Sequence, residues 1–373
     1  YVTAFRADKR ISMAGKPTID DIARLAGVSK TTVSRVLNHK PDVDLATRQR
    51  VLRIVEEQGY VPSMTATGLA GGRSRLIGML VPSFTWPNIP NLMRGVAEVI
   101  EQTPYEIVLY SVNESNTEQN RSEVIKRIFA TQLTAGLLAV FPGQQASEPI
   151  TQLYRQGFPV VVIDDQVTQT APWIGADNIT GAYQAVRHLL RLGHRRIAHI
   201  QGPAEYLVSQ DRYNGYRQAL LEAGITPDPE LVLRGDFLPL SGRLCASTFF
   251  EMPVEKRPTA IFAATDQMAY GVVAAAEAYG LSIPQDIALV GFDDDEPSIH
   301  IRPPLTTVRQ PSFEMGQRGL ELLLTMLKAE RENALEGKKP APPETLATRI
   351  LLPTQLIVRA SCGADYSVSI SSD

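Results

Sequence analysis

From Leu76 onward the chain alternates short apolar runs with amphipathic stretches, and no other feature narrows its fold as much. The runs are Leu76–Val81, Ile107–Val112, Gly136–Phe141, Val160–Ile163, Ile197–Ile200, Ala260–Ala263 and Ile287–Val290. Each is apolar at nearly every position and too short for a core helix, as a strand buried on both faces must be. Between them apolar residues recur at helical spacing, as in Ile89, Leu92, Met93, Val96, Val99 and Ile100, or Ala182, Ala185, Val186 and Leu189. Buried strands joined by crossover helices form parallel sheets covered on both faces. The succession is too long for one comfortable open sheet. It predicts an α/β body of two doubly wound parallel-sheet subdomains facing a cleft. Open α/β sheets take ligands beyond the carboxyl ends of their strands, so the loops after the runs are where binding residues are expected.

The chain ahead of Leu76 follows another pattern. Thr18–Asn38 reads as two short helices around a tight turn: Thr18 is a natural N-cap with Asp21 in the first turn, Gly27 stops the helix, and Ser29 can cap a second helix from Lys30. Ile19, Ile22, Ala23 and Ala26 share one face of the first helix, and Val33, Val36 and Leu37 one face of the second. Lys30, Thr31, Ser34 and Arg35 are left facing outward, a short polar set with two cations. That suits a helix reading a DNA major groove, although an ordinary helical hairpin with a solvated face fits these residues too. Pro41–Asp44 forms a turn, Asp44 caps a third helix to about Gln58, Val51, Leu52 and Val55 give its buried face, and Gly59 ends it. Together these predict a small all-α head over 17–61. Residues 62–75, rich in Gly, Ser and Thr, read as a linker, with a marginal helix from about Ser63 to Ala70 that needs a partner to form.

Charge separates head from body. Residues 1–75 hold 13 Lys and Arg against 7 Asp and Glu, whereas the whole chain of 373 residues is at net charge -3. A basic head on an acidic body suits an approach to a polyanion. The two cysteines, Cys245 and Cys362, are too few for a disulfide framework and fit a reduced, cytoplasmic setting. No run approaches the ~18 apolar residues of a membrane span, and no signal-peptide core precedes the first helix. Residues 1–16 are expected to be a disordered extension or tag, with Met13 a candidate native start.

Enzyme chemistry finds little support. The chain has no Gly-x-Gly-x-x-Gly after a strand, no phosphate-loop Gly-Lys-Ser/Thr and no Gly-x-Ser-x-Gly elbow. His188, His194 and His199 are spaced by six and five, which puts no adjacent pair on one helix face, and Asp293-Asp294-Asp295 has no partners fixed by sequence. No catalytic residue, cofactor or metal is expected. An exported solute-binding protein would account for the body but not for the basic head.

From about Pro17 to Ser361 the sequence resembles the lactose/galactose repressor family of bacterial transcription regulators. At the front, Ala26-Gly27-Val28-Ser29 and Thr32-Val33-Ser34-Arg35-Val36-Leu37-Asn38 resemble its helix-turn-helix signature. Farther on, Leu192-Gly193-His194-Arg195-Arg196-Ile197-Ala198, Asp266-Gln267-Met268-Ala269, Val290-Gly291-Phe292-Asp293-Asp294 and Thr306-Thr307-Val308-Arg309-Gln310-Pro311 resemble signatures of its sensor body.

The resemblance implies a homodimeric repressor with a periplasmic-binding-protein-like body, its two heads reading a near-palindromic double-stranded operator. Lys30 and Thr31 fall where the family varies its base-reading residues, and Arg35 falls on a widely shared base-contacting arginine. The DNA-facing set is then Thr18, Ser29, Lys30, Thr31, Thr32, Ser34, Arg35, Asn38, Tyr60 and Leu69. Leu69 stands at the leucine that wedges into the minor groove from a hinge helix over 62–75, although Ser63 and Gly68 depart from that helix's pattern. The implied effector is a small sugar or sugar derivative. Asp164, Arg212, Phe237 and Asp293 fall on ligand positions, and Trp86 and Thr265 stand where the family has other residues; Trp86 either stacks on the ligand or plugs the cleft. The body is expected over 76–361, as 76–176 with 308–336 and 177–306 with 345–360, and a disordered tail over 362–373. That tail carries no leucine heptad, so a dimer is expected.

Overall fold

The computed structural model describes residues 17–37, 40, 42–60, 74–82, 86–111, 119–131, 133–141, 143–164, 170–336 and 348–364. The chain divides into two compact units, residues 1–74 and 75–373. The expectations for residues 1–16, for Asn38 and for the hinge around Leu69 lie outside the described residues.

Among the described residues, three helices make the head: α1 (Ile19–Ala26), α2 (Lys30–Leu37) and α3 (Leu45–Gln58). Their ends follow from local chemistry. Thr18 and Asp21 form a reciprocal capping box, and Gly27 takes a left-handed φ of 65° while its N–H closes the last turn of α1. Asp44 Oδ1 accepts from Thr47 N at 2.9 Å to start α3, and Gly59, at φ 59°, ends it. Ile22, Val33, Val36 and Val51 are wholly buried and form one core with Ala23, Ala26 and Tyr60. Leu52 was expected in that core but is 40% exposed, and Ile54 packs against the core instead.

The body holds two six-stranded sheets. Strands β1 (Leu76–Val81), β2 (Glu106–Ser111), β3 (Gly136–Val140), β4 (Val160–Ile163) and β5 (Trp173–Ala176) enter the first; β6 (Ile197–Gln201), β7 (Val232–Arg234), β8 (Ala260–Ala263), β9 (Ala288–Asp293) and β10 (Thr306–Arg309) enter the second. The last two strands are shared out: β11 (Arg349–Leu352) lies parallel to β5, and β12 (Gln355–Ile357) antiparallel to β10. In space the first sheet runs β11-β5-β4-β3-β1-β2 and the second β12-β10-β9-β8-β6-β7. Each is doubly wound, its order reversing beside β1 or β6, where such sheets open a ligand crevice.

The connecting helices are α4 (Asn88–Ile100), α5 (Gln119–Thr131) and α6 (Ser147–Arg155) in the first half, then α7 (Asn178–Arg191), α8 (Leu207–Glu222), α9 (Pro239–Phe250) and α10 (Asp266–Ala278) in the second. The long α11 (Ser312–Leu335) follows β10 yet packs on the first sheet, burying Met315, Leu320, Leu323 and Leu327 beside Ile77, Met79 and Leu138. The chain therefore changes sheets after β5, after β10 and between β11 and β12. At the outer crossings Asp177 N donates to Leu352 O at 2.9 Å, and Thr354 Oγ1 donates to Asp177 O at 3.1 Å, so the strands run side by side where they change halves.

The sequence divided the halves differently at two points. Segment 345–360 was expected whole in the second half, but β11 pairs in the first; residues 308–309 were expected in the first, but they end β10. Strand β11 buries only Leu352, so its apolar pattern is too weak to show which sheet it joins. Cys362, where a disordered tail was expected to begin, is instead packed in the body. Ser361 Oγ accepts from Thr306 N at 2.8 Å and donates to Leu289 O at 2.7 Å, and Cys362 is 1% exposed.

Candidate functional site

The outward face of α2 carries the head's polar chemistry. Ser29 Oγ accepts from Thr32 N at 3.1 Å and lies 2.9 Å from Thr32 Oγ1, so these two hydroxyls cap the helix. Ser29, Lys30, Thr31 and Arg35 are exposed and Ser34 is half-buried. Both cations meet a carboxylate: Lys30 Nζ lies 2.6 Å from Asp20 Oδ1, and Arg35 pairs with Asp42. Such exposed pairs contribute about 0–1 kcal/mol and exchange readily for phosphate or base edges. Thr18 is spent on the α1 cap, where its hydroxyl holds the Asp21 carboxyl below the usual range. Tyr60 departs from the DNA-facing set: it is 9% exposed and completes the head core.

In the body, the ligand candidates gather where strands end. Asp164 follows β4, Asp293 closes β9 and Phe237 lies between β7 and α9. Among the described residues, the non-glycine residues with positive φ are Phe141, Asp164, Phe237, Asp293 and Asp294, every one just past or at the end of a strand. Backbone held in this region costs on the order of 1–3 kcal/mol per residue and collects at functional sites.

Arg212, on α8, is the centre of the polar group. Its side chain is 3% exposed, its Nη1 lies 3.5 Å from Asp293 Oδ1, and its Nε donates to Asn178 Oδ1 at 2.9 Å. Nη1 also donates to Ala264 O, and the guanidinium sits 3.8 Å above the Phe292 ring centroid. Asp293 accepts from Gln310 Nε2 at 2.5 Å and from Asn88 Nδ2 at 3.5 Å. Asn88 begins α4, so this last bond joins the two halves of the body. Asp164 is 2% exposed; its Oδ1 accepts from Ala176 N at 3.4 Å, while its Oδ2 has no partner. Burial lifts its carboxyl to about 6 against the pull of Arg212. Ser209 Oγ and Gln310 Oε1 are also buried without partners. Buried polar atoms are nearly always hydrogen-bonded, so the three without partners in this group mark it as a candidate ligand site.

An aromatic wall completes the cleft. The Trp86 ring centroid lies 5.6 Å from Phe141, 5.5 Å from Tyr206 and 6.0 Å from Phe237, and Tyr206 and Phe237 are 5.7 Å apart. Trp86 and Phe141 belong to the first half, Tyr206 and Phe237 to the second. The Phe237 ring lies so close over Gly202 that a Cβ there would collide with it. Thr265 does not join this wall. Its Oγ1 accepts from Met268 N at 3.2 Å to cap α10 and sits 3.5 Å from Phe237 O, which places it in support of Phe237.

Beneath Asp293 lies a second carboxylate. Asp266, wholly buried, accepts from Ser298 Oγ at 2.6 Å, Asp295 N at 2.9 Å and Thr307 Oγ1 at 2.5 Å, which ties the loop after β9 to α10 and β10. Burial drives its carboxyl well above the usual range, and drives Asp295 up to about 8. Among the described residues no group of His, Cys, Asp and Glu is arranged to hold a metal ion, and no helix is long and apolar enough to cross a membrane.

Phe141, Asn178, Tyr206 and Gln310 were not singled out as ligand residues. Their one signal was position, each standing one to five residues past a strand end, and Gln310 lay inside a quoted signature. Residues 18–63 match the family described as bacterial regulatory proteins, lacI family, and residues 186–362 match a periplasmic binding protein-like domain. Catabolite control protein A of Priestia megaterium is 32% identical over 318 residues, which span 84% of this chain and 93% of that protein. Among solved structures, the lac repressor dimer bound to operator and the anti-inducer ONPF has TM-score 0.78 at 28% identity, over 93% of this chain and 99% of that one. The transcriptional regulator CelR–cellobiose complex has TM-score 0.67 at 30% identity, over 92% and 99%.

Proposed function

The chain belongs to the lacI family of bacterial regulatory proteins and is a DNA-binding transcription regulator, and from that premise we propose that it represses carbohydrate-utilisation genes under the control of a sugar-like ligand held in the body cleft. The observation that carries the ligand half of this reading is the Arg212–Asp293 pair beside the partnerless Asp164 Oδ2, facing a four-ring aromatic wall. Carboxylates and a guanidinium suit paired hydroxyls, and aromatic faces suit the C–H faces of a sugar ring. The CelR structure with cellobiose supports the same ligand class.

In this reading Lys30, Thr31 and Arg35 address base edges, with Ser29, Thr32, Ser34, Asn38 and Thr18 ordering or contacting the backbone, and Leu69 acts from the linker over 62–75. The regulator works as a homodimer on a near-palindromic site, as supported by the lac repressor dimer on its operator. Leu238, Leu240 and Leu244, at the start of α9, are 46%, 66% and 61% exposed and offer an apolar face to a second copy. Ligand binding draws the two halves of the body together at Asn88–Asp293 and the aromatic wall. That shifts the balance between states of high and low operator affinity and releases DNA. No catalytic step enters the scheme.

The chain's two tryptophans supply the test. Trp86 lies in the aromatic wall, and Trp173 Nε1 donates to Asp164 O at 2.6 Å, so both report on the cleft. Titrating the full chain with cellobiose and related sugars, in the presence of an operator selected from random DNA, should change tryptophan emission and release DNA over one concentration range. An emission change with no effect on DNA would sink the allosteric reading.

A further inference from the structure

Charge around the cleft is one-sided. The loops that follow β1 to β10 lie at the carboxyl ends of the strands, and among their described residues the only Lys, Arg or His are His300 and Arg302 after β9, both exposed, with Arg302 Nη1 donating to the backbone oxygens of His300 and Ile301. The same loops carry Asp164, Asp177, Glu205, Asp236 and Asp294 among their described residues. The cation that reaches the cleft's polar group is Arg212, and it is already engaged by Asp293, Asn178 Oδ1, Ala264 O and the Phe292 ring. Arg309, at the end of β10, and Arg359 are both bound to Asp294.

Resting on the sugar-cleft reading above, we infer that the cleft takes an uncharged ligand and turns away phosphorylated and carboxylated sugars. A phosphate or carboxylate entering here would shed its water beside Asp164 and Asp293, where the Arg212 guanidinium is already engaged, and burial of an unpaired anion is strongly unfavourable. Helix N-termini, the other common anion holders, are already engaged at two places on the cleft. Asp177 Oδ1 accepts from Thr180 N at 3.0 Å at the start of α7, and Thr265 caps α10. The cleft's partnerless polar atoms tell the same story from the opposite side. Asp164 Oδ2 and Gln310 Oε1 are acceptors, and Ser209 Oγ can accept as well as donate. They call for ligand hydroxyls that donate, which a neutral sugar has in abundance and an anionic group lacks. The aromatic wall adds no charge and covers an apolar face.

The test is a titration of the full-length protein, followed by tryptophan emission and by calorimetry. The panel pairs cellobiose, glucose, ribose and galactose with glucose 6-phosphate, ribose 5-phosphate, gluconate and galacturonate. Saturable binding is expected from neutral members alone, with Kd changing by less than about twofold between roughly 50 and 500 mM salt, since no ligand charge is there to be screened. A phosphorylated or carboxylated member that binds about tenfold tighter than its neutral parent, a difference of about 1.4 kcal/mol, overturns the inference while leaving the cleft as the ligand site. Binding of members of either class that Asp164→Asn and Asp293→Asn both leave unchanged overturns the cleft reading itself. A panel without any binding member overturns both.

Discussion

Arg212 Nη1 and Asp293 Oδ1 stand 3.5 Å apart with their side chains 3% and 5% exposed, each belonging to a different element of the second half. Removing one partner of such a pair leaves the other charge buried and costs about 3–5 kcal/mol. Arg212→Gln should therefore lower the body's unfolding free energy by about that much in urea melts followed by tryptophan emission. Asp293→Asn keeps an acceptor for Gln310 Nε2 and should cost less, yet it removes the charge a ligand would meet. That variant is expected to bind operator normally and to ignore sugar. Release of DNA by sugar at wild-type concentrations would remove Asp293 from the ligand site.

Arg35 is held by Asp42 on the exposed face of α2, so it is preorganised outside the head core and can be deleted without loss of packing. An arginine fork reading a guanine edge discriminates by about 1–3 kcal/mol. Arg35→Ala should flatten preference at one base pair of each half-site by that amount relative to wild type. Binding selections on random DNA at one salt concentration would read the difference. An unchanged sequence logo for Arg35→Ala would end its role as a reader.

How much of this was legible in sequence depended on how local the cause was. The Thr18–Asp21 box, Gly27, Asp44 and Gly59 act within a few residues, and the head's helix ends could be read directly from them. The buried strands β1, β3, β4 and β8 show as unbroken apolar runs because both faces are covered. Strand β7 is three residues long and half-buried, and β11 buries a single leucine, so neither stands out from a loop. Strand β5 is fully buried but only four residues long, with Gly175 inside it. The cleft was legible at Asp164, Arg212, Phe237 and Asp293 only through family positions. Their companions come from long range: Asn178 meets Arg212 across 34 residues and Asn88 meets Asp293 across 205, distances no local pattern encodes.

Two buried groups near the cleft pull stability in opposite directions with pH. His199 stacks between Phe262 and Tyr216, and burial lowers its ring to about 4 from 6.5. Below pH 6.5 the unfolded chain takes up a proton that folded His199 refuses, so its contribution is full above that pH and drains as pH falls toward 4. Asp164 is lifted from 3.8 to about 6, so its contribution is full below 3.8 and is lost as pH rises to 6. Each shift corresponds to about 3 kcal/mol over its whole range. Between pH 4 and 6 the two offset each other. Asp164→Asn should therefore lose stability with acid more steeply than wild type, and His199→Phe less steeply. Parallel curves for all three proteins in urea melts between pH 4 and 7 would refute the assignment.

The exposed leucines at the start of α9 are the contact proposed above between two copies of the chain. Leu240 and Leu244 lie one helical turn apart, 66% and 61% exposed, while Cys245, Phe249 and Phe250 on the same helix are buried in the core. Their exposure therefore serves no intramolecular packing. Leu240→Glu with Leu244→Glu leaves the helix's buried face intact, so the fold should persist while an apolar contact between copies is replaced by repelling carboxylates. Sedimentation should show a monomer at micromolar concentration where wild type is a dimer, with the sugar-induced change in tryptophan emission retained. Because each head grips only half an operator, loss of the second head should weaken operator binding by about 100-fold or more. A double variant that remains dimeric would place the interface elsewhere on the body.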